Sequence, residues 1–384
     1  MKKLKIGVLF GGLSAEHEVS IKSAISIIKN LNVAKYFIIP IYINTEGKWY
    51  YINLDPLINE SDTDLAHYIA KCINQIKCQE SYNYNCIKPV DFNEINQSVD
   101  VFFPIIHGKT GEDGILQGFF ELLDIPYVSS NILSSSITMD KEFTKMILKE
   151  SGTLIAPHIS IKEYQYGNEE KKDNFIQYIS QNFSFPVFVK PANGGSSIGI
   201  EKVNQFDDLV GSIENAFKYD NKILVEQGIL GKEIEVSVLE NIDDYDQPII
   251  SYPGELIPKD AFYSYKAKYI MKDGAKFQIP AILDDSMVNI IREKAGEIFK
   301  ILECNCLARV DFFLEIKSNR LFFSEINTLP GFTEISLYPK LLDHYGIKYK
   351  DLLDKLIALS LKKHKLSRLK NKNSIDILSS IKLN

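Results

Sequence analysis

The alternation of apolar and polar positions divides this chain into short strands and amphipathic helices. The opening KKLKIGVLFGGLSAEHEVSIKSAISIIKNL reads as strand, glycine turn and helix, and IIPIYI (38–43) supplies the next strand. That order predicts a parallel βαβ start. Residues 55–98 are polar, asparagine-rich and weakly patterned, and read as an insertion with one helix near 67–76. The apolar run VDVFFPIIHG (99–108), a helix ILQGFFELLDI and a short strand PYVSS then close a first α/β domain, 1–129. A helix over 134–151, strand-like HISIKEY and PVFVKPANGGSSIGIEKV, and a helix over 206–218 form a central unit, 130–225. From the strand KILVEQGI onward a third unit, 226–361, carries EIEVSVL, IISYPGEL, a loop near 259–278, a helix over 285–303, a hairpin over 307–331 and a helix near 350–361. Residues 362–384 read as a solvated basic tail, because 362–372 alone holds six lysines and arginines. The expected fold class is α/β (α+β), with a parallel sheet in the first domain.

Composition adds limits rather than detail. A chain of 384 residues, 45% hydrophobic and 24% charged, matches a globular protein of several domains. The net charge of −6 gives no electrostatic case for nucleic acid. No apolar run approaches a membrane span, and the opening residues read as a strand rather than a signal peptide. Cys72, Cys78 and Cys86 fit no usual zinc spacing, and Cys304 and Cys306 read as packed thiols. A reducing cytoplasm is the expected compartment.

The densest chemistry lies in LARVDFFLEIKSNRLFFSEINTLPG (307–331). Strand periodicity puts Arg309 and Asp311 on one face, and Glu325 and Asn327 on one face of the return strand. Pairing Asp311 with Glu325 also pairs Arg309 with Asn327, which requires an odd loop such as 317–319 with Asn319 left-handed. Two carboxylates and an amide oxygen suit Mg²⁺, which keeps phosphate oxygens in its shell. The arginine can steady a developing anion.

Other stretches point the same way. In FPVFVKPANGGSSIG a strand delivers Lys190 to a flexible turn whose N–H groups, with Ser196 and Ser197, can wrap phosphate oxygens. Residues 108–110 mimic the end of a P-loop, but the required first glycine falls on Phe103. Lys141 sits on a helix, and Glu226 with Glu233 can read an adenine edge and ribose hydroxyls. Glu16, at a helix N-terminus, either complements the dipole or holds an ammonium. His107, beyond a buried strand, is placed to contact a carboxylate, with Glu112 orienting its imidazole.

In this order the stretches GGLSAEHEVS, HGKTGEDGILQG, the lysine of MDK, KPANGGSSIG, VEQGILGKE, YKAKY (265–269) and ARVDFF…SEINTLPGFTEISL closely resemble the D-alanine–D-alanine ligase family of the ATP-grasp superfamily. The resemblance implies a three-domain ATP-grasp architecture and an ATP-dependent ligase, working as a cytoplasmic homodimer without nucleic-acid or membrane partners. It implies ATP held by Lys141, Lys190, Ser197, Glu226, Ile229 and Glu233. Two Mg²⁺ ions, or Mn²⁺, would be bound by Asp311, Glu325 and Asn327. The first D-alanine would place its ammonium on Glu16 and its carboxylate near His107. Arg309 and the Gly331 N–H would face the oxyanion, and Ser336 with the Leu337 N–H would take the second carboxylate. Lys268 and Tyr269 would lie on a loop over the site, with Tyr269 bonded toward Ser196 and Glu16; keeping that tyrosine favours a dipeptide over D-alanyl-D-lactate, the alternative product. Gly228, Lys266 and Cys306 depart from common family choices.

Overall fold

The computed structural model describes residues 2–55, 64–78, 86–258, 275–333 and 335–380. Strand β1 (Leu4–Gly11), helix α1 (His17–Asn30) and β2 (Tyr36–Ile43) form the expected βαβ start: β1 and β2 pair in parallel from Leu4↔Tyr36 to Gly11↔Ile43. Strands β3 (Trp49–Ile52) and β4 (Ile87–Pro89) extend the sheet antiparallel on one side. Strand β5 (Val101–Pro104) lies parallel to β1 on the other, giving the order β4-β3-β2-β1-β5. PYVSS contributes only a bridge, Tyr127 to Phe102.

The described parts of 55–98 are built into this sheet's core. Helix α2 (Leu65–Cys78) buries Ile69, Cys72, Ile73 and Ile76, and β4 buries Ile87 beside them. That spacing is one helical stripe, which the surrounding asparagines obscure in the sequence. Helix α3 (Ile115–Leu122) covers the opposite face with Leu116 and Phe120.

The single helix expected over 134–151 is two, α4 (Ile132–Met139) and α5 (Lys141–Glu150). Asp140 adopts an extended backbone between them, and its carboxylate accepts from the N–H groups of Glu142 and Phe143. An aspartate at that position ends one helix and caps the next. Strands β6 (His158–Lys162), β7 (Val187–Pro191), β8 (Glu201–Val203) and β9 (Lys222–Gln227) form an antiparallel sheet, β6-β9-β7-β8. Helix α6 (Glu169–Asn182), absent from the sequence reading, packs on it with α7 (Leu209–Ala216). Only Phe175 and Ile179 of α6 are buried, too thin a stripe to stand out.

The last sheet combines β10 (Gly231–Leu239), β11 (Ile249–Ile250), β12 (Gly254–Pro258), β13 (Ala275–Gln278), β14 (Leu307–Glu315) and β15 (Leu321–Asn327). Helix α8 (Asp285–Ile301) packs on one face against Ile234, Val236, Val310, Phe312 and Phe323. Helix α9 (Leu337–Tyr345) and helix α10 (Tyr349–Ser380) turn back onto the first sheet. There Tyr338, Leu342, Leu352 and Leu356 share a core with Val8 and Phe103.

Residues 362–380 continue α10, and most of 362–370 is exposed, as a solvated tail would be. Lys362 donates to the Ile242 carbonyl and Lys363 to the Asn305 side chain, each at 2.5 Å. His364 and Arg368 both meet Asp124, at 2.9 and 3.0 Å.

Candidate active site

The face of the last sheet opposite α8 carries the charges. Cross-strand pairing sets Glu235 opposite Asp311, Asp311 opposite Glu325, and Arg309 opposite Asn327, as the hairpin reading required. The loop is not odd, however. Glu315 and Arg320 are joined by a backbone bond of 2.9 Å around the even loop 316–319, with Asn319 at φ 55°. Parity is restored by a β-bulge: Phe312 pairs with Phe323 but Asp311 with Glu325, leaving Ser324 as the extra residue. Without it, Glu325 and Asn327 would fall on the apolar face beside Phe323.

Arg309 grips Asp311 with a fork, Nε to Oδ1 at 2.8 Å and Nη2 to Oδ2 at 2.6 Å, and its Nε lies 2.8 Å from Oε2 of Glu235. These buried carboxylates hold the guanidinium even more firmly charged than usual, against the burial that opposes it. Asn327 donates to Oδ2 of Asp311 at 3.1 Å. Carboxylate oxygens retain lone pairs beyond these bonds, so Asp311 and Glu325 with the Asn327 amide oxygen fit a hard divalent cation. Among the described residues no group of three or more His, Cys, Asp or Glu side chains makes a metal site; this donor set has two carboxylates and an amide.

Beside this hairpin lies a cluster of lysines, with Lys145 buried and Lys141 and Lys190 half-buried. Lys141 Nζ donates to the Gly194 carbonyl at 2.5 Å, tying α5 to the Gly/Ser turn, and its amide N–H donates to the Ala192 carbonyl. Burial pushes the Lys141 ammonium below its ordinary range, opposed first by the nearby Glu325. Lys190 and Lys145 meet the same oxygen of Glu226, at 3.1 and 3.3 Å. Burial raises the Glu226 carboxyl, but the two lysines outweigh it and hold it at about 2. Beyond the lysines, Ser196 and Ser197 both take left-handed φ angles, 52° and 58°, which curls the turn back on itself. Ile229 and Glu233 follow Glu226, half-buried at the rim.

The first α/β unit closes the site. The buried Glu16 carboxylate makes no cap bond to its own helix; it accepts from the Ser196 hydroxyl, across 180 residues of chain. A Cβ on Gly108, which has φ +74°, would come within 2.7 Å of Glu16 Oε2, so only glycine permits that approach. His107 is buried beside it, and burial keeps its imidazole below the ordinary range against the pull of Glu16. The imidazole is not oriented by Glu112, contrary to expectation. Its Nε2 faces the Ser23 hydroxyl at 3.2 Å and its Nδ1 the Leu329 carbonyl at 3.2 Å. Glu112 instead accepts from the N–H groups of Gly108 at 2.7 Å and Leu329 at 3.3 Å. Both backbone groups of Leu329 are thus held by the His107–Glu112 loop, just ahead of Gly331. Ser336 hydrogen-bonds Thr333, by its hydroxyl to the Thr333 N–H and Oγ1, and precedes the buried Leu337.

Lys266, Lys268 and Tyr269 lie outside the described residues. Lys145 and Glu235 belong to the site and were missed by the sequence reading. The signals were present: Lys145 follows Lys141 by one helical turn, and Glu235 follows Glu233 at strand spacing.

Known proteins resemble this chain over nearly its whole length. The family model described as D-ala D-ala ligase N-terminus matches residues 5–130, and the one described as D-ala D-ala ligase C-terminus matches 147–358. The D-alanine–D-alanine ligase of Caldicellulosiruptor bescii is 45% identical over 366 residues, covering 95% of this chain and 97% of that protein. Among solved structures, the VanG D-Ala:D-Ser ligase from Enterococcus faecalis superposes with a TM-score of 0.78 at 34% identity, covering 94% of this chain and 100% of that one. The D-alanine–D-alanine ligase from Coxiella burnetii gives 0.77 at 30%, covering 99% and 100%. The ligase from Bacillus anthracis complexed with ATP gives 0.68 at 28%, covering 95% and 99%.

Proposed function

The chain belongs to the D-alanine–D-alanine ligase family, and from that premise we propose how its residues join two D-alanine molecules at the expense of ATP. ATP phosphorylates the carboxylate of the first D-alanine, giving ADP and an acylphosphate. The amine of the second attacks the acyl carbon, and phosphate leaves with formation of D-alanyl-D-alanine. The dipeptide serves peptidoglycan synthesis and so cell-wall biogenesis. We place the reaction in the cytoplasm; no helix among the described residues is long and apolar enough to cross a membrane.

The observation that carries the assignment of residues is the Glu16–Ser196 contact. It joins an acid suited to an amino-acid ammonium to the turn that follows Lys190, so the carboxylate of a bound amino acid would lie toward the nucleotide phosphates. Phosphoryl transfer is mostly positioning and charge neutralisation. Lys141 and Lys190 supply charge, Ser197 and the turn hold phosphate, and Glu226, Ile229 and Glu233 border the adenosine. Asp311, Glu325 and Asn327 would hold Mg²⁺ or Mn²⁺, which would supply charge to offset that of the phosphates. His107 and Glu16 orient the first D-alanine. Arg309 and the Gly331 N–H face the oxyanion of the tetrahedral intermediate. Ser336 and the Leu337 N–H receive the second carboxylate. Lys268 and Tyr269 enter this proposal through the resemblance alone, as part of a loop that keeps water from the acylphosphate.

The likeness to a D-Ala:D-Ser ligase makes the second substrate the point to test. Phosphate release would be measured with ATP, Mg²⁺ and D-alanine, L-alanine, or D-alanine mixed with D-serine or D-lactate, and the products weighed. D-Alanine alone should release phosphate and yield the dipeptide, with the dipeptide dominant in each mixture. ATP binding without D-alanine-dependent phosphate would overturn the substrate assignment, and a dominant mixed product would move it to the second acceptor.

A further inference from the structure

The chemistry above gives work to Lys141 and Lys190 but none to a third lysine between them. Lys145 lies one turn past Lys141 on α5, and its side chain is 1% exposed. Its Nζ stands 3.3 Å from Oε2 of Glu226, its one ion-pair partner among the described residues, with the Phe323 ring 5.9 Å away. Lys190 reaches the same oxygen at 3.1 Å and is more exposed, at 14%. One buried carboxylate therefore serves two ammonium groups, one deep in the interior and one at the cleft.

An ammonium buried this deeply is costly to desolvate unless it is matched, and apolar residues fill the same space more cheaply. Packing alone does not account for a lysine here. The geometry does supply a use. If Lys190 were the sole partner of Glu226, drawing it toward a phosphate would strand a bare carboxylate in the interior. With Lys145 fixed on the far side, Glu226 keeps a cation whichever way Lys190 leans. We propose that Lys145 is a positioning residue for nucleotide binding: it anchors Glu226 from the buried side and so frees Lys190 for the phosphates. The proposal rests on reading this cleft as the ATP site. The charge balance agrees: burial pushes the Lys145 ammonium down and Glu226 pulls it back, while Lys190 and Lys141 oppose the charge.

The test titrates ADP and ATP into the full-length protein by calorimetry, alongside steady-state kinetics with D-alanine. Lys145→Met and Lys145→Gln should weaken nucleotide binding by about tenfold, the size expected for one hydrogen bond to a charged group. The KM for D-alanine should stay within about twofold, and Lys145→Arg should bind nucleotide nearly as the parent does. Lys145→Gln keeps a donor and most of the volume, so it decides the matter if the methionine variant does not fold. In a Glu226→Gln background the Lys145→Gln effect should largely vanish, because nothing remains to anchor; a lysine that merely supports the fold would cost the same in either background. The proposal falls if Lys145→Gln binds nucleotide as the parent does, if D-alanine KM worsens in step, or if the effect persists without Glu226. A parent protein that binds no nucleotide would remove the ATP reading and this proposal together; a parent that binds, with unaltered variants, removes this proposal alone.

Discussion

Glu112 shows how one side chain ties local chemistry to stability. Burial first, then the neighbouring Glu16 carboxylate, push it up to about 8, against the two backbone N–H groups that favour its charged form. Unfolded, it titrates in the ordinary glutamate range. Between about 4.5 and 8 the folded chain therefore holds a proton that the unfolded chain has released, and stability falls as pH rises through that window. The slope is at most about 1.4 kcal/mol per pH unit for one group. Unfolding by urea at several pH values across the window should show the parent losing stability relative to Glu112→Gln as pH rises. Parallel pH profiles would remove the assignment. At this scale the sequence was informative about charged residues that sit at strand spacing beside one another, as with Arg309 and Asp311. It was silent where a side chain's partner arrives from another unit. Closeness in the chain aims Glu112 at His107, yet its bonds run to Gly108 and, far along, to Leu329.

Elements were legible where one apolar stripe dominated, and breaks within them were not. The sequence around 134–151 is helical throughout by pattern, and only the cap made by Asp140 divides it. That aspartate also sits 2.6 Å from the buried Lys222, which meets Glu142 at 2.8 Å. Asp140→Ala should remove a cap worth about 1 kcal/mol and half of a buried pairing, for a total of about 2–4 kcal/mol. It should also weaken ATP binding, since Lys141 begins the helix that Asp140 caps. Equilibrium unfolding checks the first effect and nucleotide titration the second; a loss under about 0.5 kcal/mol would show that Lys222 is satisfied by Glu142 alone. The bulge at Ser324 teaches the same lesson for strands. Pairing of the charged residues could be inferred from the need to gather them, whereas the means, an even loop corrected by one extra residue, leaves no periodic signal.

Across the whole molecule, one face of the first sheet has a core of its own, while the other is completed by segments from far along the chain. Leu329, Phe332, Tyr338 and the start of α10 pack among β1 and β5 residues, so the chain's two ends are folded as one body. Such contacts between distant segments are invisible to periodicity, which reports which face of an element is apolar but not what covers it. The same holds for α10 beyond residue 361. Its run of basic residues reads as solvated and most of it is exposed, yet Lys362, Lys363, His364 and Arg368 also bond back to Ile242, Asn305 and Asp124. The buried part of that helix, Leu352, Leu353, Leu356, Ile357, Leu359 and Ser360, ends just before it. Ending the chain after Leu361 should therefore keep the core and lose these outer bonds. Exposed pairs contribute about 0–1 kcal/mol each, so the loss should be about 1–3 kcal/mol, or a few degrees in melting temperature. Asp124→Ala, which removes the partner of both His364 and Arg368, should reproduce part of that fall. Turnover well below the melting point should be unchanged, because none of these residues faces the lysines, Glu16 or the hairpin. A truncated chain that melts normally would make the contacts energetically idle. One that is stable but inactive would mean the extension governs how the first sheet meets the rest of the site.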